Sequence, residues 1–234
     1  MQRIAFQGVP GAYSHEAVLW YFGEEITAVP CATFAAVFDA VARRAADAAM
    51  VPVGNSYAGP VQEVCNLMKD TNLVVAGTCQ RLIRHCLLAL PGQTLEHITR
   101  VISHPQALMQ CDAYLERLNV ETIEALDTAG SAKFIREQEL YGVAAIASAR
   151  AASMYQLAIL AEDIQVRTDN STSFVVLCSP ILVREEFALL YQLKAARVQG
   201  QHDQAETLLR ALRVRGHSAD WGMRSASLRT PSAN

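Results

Sequence analysis

The sequence is poor in charge: Asp, Glu, Lys and Arg make up 18% of its 234 residues and sum to a formal −3. Nucleic-acid binders need clustered cations to displace counterions, so this balance makes no case for a polyanion partner. Long apolar runs are missing as well. A stretch such as 175–178 falls far short of the roughly 20 residues that span a bilayer, and no membrane partner is expected. The opening residues, MQRIAFQGVP, hold no apolar run ahead of a small-residue cleavage site, which speaks against a secretory signal. These absences lead to the expectation of a soluble cytoplasmic protein.

Metal and nucleotide signatures are also absent. The cysteines at 31, 65, 79, 86, 111 and 178 form no C-x-x-C pair, and no two histidines stand four apart. Most of the cysteines lie in apolar runs, so they read as buried free thiols of a reducing compartment, and no metal is expected. Neither G-x-G-x-x-G nor G-x-x-x-x-G-K-[ST] occurs, so no cofactor is expected.

What is present is hydrophobicity, 51% of residues, arranged in short apolar runs that alternate with helical segments. Strands are predicted at 4–7, 27–31 and 48–53. Helices follow them from Ser14, from Thr33 to about residue 44, and from Pro60 to about residue 70, with Gly54-Asn55-Ser56 as the last turn. Two longer strands, 73–83 and 84–90, come next. The alternation then restarts, with strands at 100–102, 120–125 and 143–147, helices at 105–118, 128–137 and 148–155, and a last strand at 173–178. This order predicts an α/β fold of parallel strands in two lobes, with a cleft at the carboxyl ends of the strands. The lobes are drawn as 1–76 plus 165–182, and 77–164, the chain crossing near 77–84. Residues 183–234 read as a helical tail with a poorly ordered polar end.

Five turns place small and hydroxyl residues between a strand and a helix: GVPGAYS (8–14), GNSYAG (54–59), SHPQALMQC (103–111), DTAGSA (127–132) and ASARAAS (147–153). A helix start offers unpaired N–H groups and partial positive charge, and glycine allows close approach. Singly, each turn is an ordinary cap. Together, facing one cleft, they suit a ligand with carboxylates. In 103–111, Gln106 and Gln110 share a helix face away from the apolar stripe Leu108, Cys111, Leu115 and Leu118, so their amides are free to bond a substrate oxygen. His104 reads as a structural hydrogen-bonder. Thr172, with Asn170 just ahead of it, presents a hydroxyl toward the cleft. No base and acid beside it make it a nucleophile.

These segments carry a family resemblance. GVPGAYSHEA resembles the G-P-x-G-[TS]-[FY]-S-x-x-A opening of prephenate dehydratases, and VPVGNSYAGPVQEVCNLM their P-I-E-N-S-x-x-G segment. VISHPQALMQCDAYL is similar to their V-x-S-H-P-Q-A-L-x-Q-C-x-x-[FY]-L, DTAGSA to S-T-A-x-A, and AAIASARAASMY with NSTSF to the closing A-A-I-A-S and N-x-T-R-F. The match spans about residues 4–178. It implies two lobes in a periplasmic-binding-protein-like (type II) arrangement and a lyase of phenylalanine biosynthesis. Its substrate would be a small molecule, prephenate or its amino-acid counterpart arogenate, losing water and carbon dioxide. It also implies a homo-oligomer. By the same resemblance Thr172 assists the departing hydroxyl, and Asn55, Ser56, Gly59, Ser103, Gln110, Thr128, Ala129 and Phe174 contact substrate. Gly54 stands where the family pattern has Glu, Ser173 where it has Arg, and the G-A-L and E-S-R-P segments of a regulatory ACT domain are not found. These departures keep two alternatives open, a non-aromatising prephenate decarboxylase and an inactive small-acid-binding homologue.

Overall fold

A computed structural model describes residues 1–181. The expected helical tail, 183–234, lies outside the described residues.

Two mixed sheets build the two lobes. In the first, strands β1 (Gln2–Gln7), β2 (Ile26–Cys31), β3 (Ala48–Asn55), β5 (Val74–Leu82) and β11 (Ser171–Cys178) lie in the order β2-β1-β3-β11-β5, and the short β4 (Gly59–Pro60) folds back on β3. The second has β6 (Cys86–Ala89), β7 (Arg100–Ser103), β8 (Glu121–Glu124), β9 (Val143–Ala147) and β10 (Ala158–Ala161) in the order β10-β6-β9-β7-β8. The strands expected to be parallel are so in β1–β2, β1–β3, β7–β8 and β7–β9. By contrast β11 runs antiparallel to both β3 and β5, and β6 antiparallel to β9 and β10. The reason is the route of the chain. It leaves the first sheet at the cleft end of β5 and re-enters it there in β11, which must run back the other way.

Several boundaries differ from expectation, among them the start of the last strand, at Ser171 and not 173, which puts Thr172 inside β11. Strand β5 stays in the first sheet along its whole length, pairing through Leu82 with Ser171, so the chain leaves that sheet only at the far end of the 77–84 stretch drawn for the crossing. β3 extends through Asn55, because β4 and β11 both pair with it there, and α3 (Gln62–Lys69) begins after Pro60, not at it. The helix expected over 105–118 is two, α4 (Pro105–Gln110) and α5 (Asp112–Leu118), broken at Cys111. The β10 strand had no expectation: four residues, AILA, carry too short a pattern to separate strand from loop.

Strand alternation sorts the core into layers. Ile4, Phe6, Met50, Phe174 and Val176 face α1 (Tyr13–Phe22), while Ala5, Ala49, Val51, Val175 and Leu177 face α2 (Phe34–Ala42) and α3. In the second lobe all five residues of β9 are buried, four of them alanine or valine, so helices pack on both faces. Ile135 of α6 (Thr128–Glu137) and Ala151 and Ala152 of α7 (Ala149–Tyr155) lie on one side, and Leu108, Cys111 and Leu115 on the other. Each large side chain so buried is worth about 1.5–3 kcal/mol relative to exposure. Three of the six cysteines, Cys86, Cys111 and Cys178, are buried; Cys31, Cys65 and Cys79 are only half-buried. Burial pushes the thiols of Cys86 and Cys79 up to about 11 and that of Cys111 up to about 12, so they stay protonated at neutral pH.

Candidate active site

The helix starts are mostly satisfied from within. Thr33 caps α2 as expected, accepting from the Ala36 N–H at 3.1 Å. His104 Nδ1 accepts from the Gln106 N–H at 3.1 Å, Asp127 accepts from the Gly130 N–H, and Ser148 Oγ from the Ala151 N–H at 3.1 Å. Three of the five junctions are therefore caps first, as the turn chemistry favours. Ser14, expected to cap α1, lies inside that helix and is buried; Ala12 holds the cap position and offers no side-chain bond.

Around Asn55 the picture differs. Its Oδ1 accepts from the Tyr57 and Ala58 N–H groups at 3.0 and 3.1 Å, an Asx turn at the end of β3. That leaves Nδ2 as donor, and it reaches Asn170 Oδ1 at 2.8 Å, the Ser171 carbonyl at 3.1 Å and Thr172 Oγ1 at 3.0 Å. Ser56 is bound alongside, its N–H donating to the Ser171 carbonyl at 2.9 Å and its Oγ accepting from the Ser171 N–H at 3.0 Å. Thr172 is half-buried and sits opposite Asn55 in the ladder. It accepts from Asn55, and no bond among the described residues uses its hydroxyl hydrogen.

From the second lobe comes Gln110, at the end of α4. Its Oε1 accepts from Asn170 Nδ2 at 3.0 Å and meets His85 Nε2 at 2.9 Å. His85, 2% exposed, sits on the crossing, with Tyr13 Oη 2.7 Å from its Nδ1. Its N–H donates to Gln165 Oε1 at 2.7 Å. Burial holds the His85 imidazole below its usual range, opposed by the Gln110 bond, and lifts the Tyr13 phenol well above 10. A cavity of about 270 Å³ opens beside this network, lined among others by Gln110, Asn170, Tyr57, Asp112, Gln165 and Arg167. Arg167 stacks over the Tyr57 ring at 4.6 Å.

Asn55, Ser56, Thr172 and Gln110 thus come together. Gly59, with φ +75, turns β4 back onto Asn55 and shapes the turn through its backbone. Thr128 opens α6, half-buried, beside the Asp127 cap. Three of the expected substrate contacts are buried within the protein itself. Ser103 is fully buried and donates to the Ile146 carbonyl at 2.7 Å, which ties β7 to β9. Ala129 and Phe174, each 1% exposed, are core residues of the second and first lobes. Tyr13, His85 and Arg167 had no expectation. The one sequence signal for His85 is a lone imidazole inside the apolar run 83–90. Among the described residues no group of three His, Cys, Asp or Glu is placed to hold a metal ion, and no helix is long and apolar enough to cross a membrane.

The family model of prephenate dehydratase matches residues 4–181. Arogenate dehydratase/prephenate dehydratase 6, chloroplastic, of Arabidopsis thaliana is 46% identical over 187 residues, 79% of this chain and 45% of that protein. A solved structure of prephenate dehydratase from Arthrobacter aurescens in complex with L-Phe is 28% identical, with a TM-score of 0.70, over 76% of this chain and 60% of that one. Another, described as a novel type of quorum quenching acylase, is 35% identical with a TM-score of 0.71 over 76% and 64%. The chain spans less than half the length of the curated relatives it matches. The expected cytoplasmic location is corrected here: several relatives that the chain matches are named chloroplastic. Reduced cysteines and an unremarkable charge balance do not distinguish one reducing compartment from another.

Proposed function

We infer the reaction from one premise: the chain belongs to the prephenate dehydratase family. The proposed activity is that of a carbon–oxygen lyase converting prephenate to phenylpyruvate, with loss of carbon dioxide and water. The bond from the ring to its carboxylate breaks, and its electron pair enters the ring. The ring hydroxyl leaves with one proton taken up, and aromatisation drives the whole. The protein has to hold the ring and assist the leaving hydroxyl. The observation that carries this reading is the Asn55–Thr172 bond: Thr172 Oγ1 accepts from Asn55 at 3.0 Å, so its own hydrogen is free to hydrogen-bond the departing oxygen, whose proton comes from solvent. Gln110, with its carbonyl oxygen occupied twice, has an amide N–H pair free for an anionic oxygen.

Arogenate is the second substrate of this reading, supported by the relatives' names, and it would give phenylalanine directly. A homo-oligomer also belongs to it. The outer edge of β5, with Val75 and Leu82 about half exposed, supports a partner strand, and the mass by light scattering tests it. Incubation with each substrate, followed by NMR of the product, tests the activity. Thr172→Ala should lower kcat by about 10²–10³-fold, the range for loss of one hydrogen-bond donor to a developing negative oxygen. An unchanged rate, or substrate left intact by the wild type, would overturn it.

A further inference from the structure

One hydrogen-bond chain joins Tyr13, His85, Gln110, Asn170, Asn55 and Thr172 across both lobes, and its direction follows from a single fixed point. Asn55 Oδ1 is held by two backbone N–H groups, which only donate, so Asn55 Nδ2 must face Asn170. Asn170 therefore turns its Oδ1 to Asn55 and its Nδ2 to Gln110. Gln110 must answer with Oε1, and that oxygen also faces His85 Nε2. An oxygen without a hydrogen requires a donor, so His85 carries its proton on Nε2. Its Nδ1 is then an acceptor, filled by the Tyr13 hydroxyl at 2.7 Å. Every link is between 2.7 and 3.0 Å.

We propose that Asn170 and His85 are positioning residues: Asn170 carries the direction set at Asn55 to Gln110, and His85, its Nδ1 held by Tyr13, saturates the Gln110 carbonyl, so that Gln110 and Thr172 both meet the ligand as hydrogen-bond donors. Were Gln110 to rotate, an acceptor oxygen would face the cavity and repel an anionic substrate. The Tyr13 end permits a second arrangement once the constraint at Asn170 is lifted. Tyr13 Oη lies 2.8 Å from the Arg84 carbonyl as well as 2.7 Å from His85, so its one hydrogen has two possible acceptors. If His85 moved its proton to Nδ1, Tyr13 would accept from it and donate to Arg84, and Gln110 would turn its N–H groups toward His85.

Asn170→Asp forces that reversal. An oxygen replaces the donor facing Gln110, so the Gln110 amide rotates to supply one. His85 Nε2 becomes an acceptor, and the proton passes to Nδ1. The measurement is the His85 tautomer from ¹⁵N chemical shifts of the ring nitrogens. We expect the Nε2–H form in the wild type and the Nδ1–H form in the Asn170→Asp protein, with kcat/KM for the proposed substrate lowered on the order of 10²-fold. A merely structural role for Asn170 would leave the tautomer where it was, and that result would overturn the proposal. So would an Nδ1–H wild type, which is measurable even if the variant does not fold. Tyr13→Phe is a second check. Gln110 still demands a donor there, so His85 stays Nε2–H, and a switch would also refute the chain. The kinetic arm rests on the proposed lyase activity, but the tautomers do not. With tautomers as expected and Thr172→Ala fully active, the chain stands and the activity falls.

Discussion

Ser148 of the second lobe donates its buried hydroxyl to the carbonyl of Gly11 in the first, at 2.9 Å. Tyr155 repeats the contact one residue back, its hydroxyl donating to the Pro10 carbonyl at 2.6 Å, and Arg150 pairs with Glu24 at 3.4 Å. Helix α7 therefore clamps the 8–12 loop, and the lobes are tied on this side of the cleft. The contact is close because residue 11 is glycine. A Cβ there would lie 3.0 Å from the Ala151 Cα, and the backbone has φ +89.

Gly11→Ala should thus destabilise the protein by about 1–3 kcal/mol, combining left-handed strain with backbone overlap. Equilibrium urea unfolding measures it. A midpoint equal to the wild type would mean that the loop and α7 separate freely.

Phe174, expected to contact substrate and found in the core, supplies a test of that expectation. Phe174→Ala should cost about 3–5 kcal/mol of stability. Phe174→Leu should keep KM near the wild-type value, because the ring is 1% exposed and packs with Phe6 and Met50. A raised KM in a well-folded Phe174→Leu protein would return the residue to the site.

Stability should fall on mild acidification. Burial lowers the pKa of both His15 and His85, with Arg150 adding to the effect at His15 and the Gln110 bond opposing it at His85. The unfolded chain takes up these protons near pH 6.5, whereas the folded chain resists them. The histidine contribution is complete above about pH 6.5 and is lost as pH falls through the folded values. Urea midpoints at about pH 7.5 and about pH 5.8 check the sign, which requires the lower pH to give the lower midpoint.

The two departures from the family pattern prove to be one feature. Gly54 and Ser173 are direct cross-strand partners of β3 and β11, so the positions where the pattern has Glu and Arg face each other. Loss of both together leaves no charge unpaired, whereas loss of one would strand the other. The backbone admits a side chain at residue 54, since a Cβ there would meet the Gly59 carbonyl oxygen at an ordinary 3.6 Å. Gly54→Glu and Ser173→Arg should each lower stability alone and recover it together, with a coupling of about 0.5–3 kcal/mol in a double-mutant cycle. Additive effects would show that the positions do not communicate.

Much of the fold was legible because the signals are local. Helix α6 at Thr128–Glu137 and strand β9 at Val143–Ala147 have the bounds their periodicity predicts, and Thr33 caps where expected. The sequence by itself determined these elements and the family, since periodicity, caps and motif spacing are properties of neighbouring residues. It also marked Thr172, Asn55, Ser56 and Gln110. Only the tertiary structure decided which of the marked residues lie together and which are enclosed. Ser103 ended in a sheet and Phe174 in a core, because burial depends on what the other lobe and the neighbouring strands cover. The same holds for the hydrogen-bond chain. Asn55 and Asn170 are 115 positions apart, Gln110 and Asn170 are 60, and His85 and Gln110 are 25. No local pattern links residues at such separations; their meeting depends on two crossings of the chain that bring β11 back beside β3.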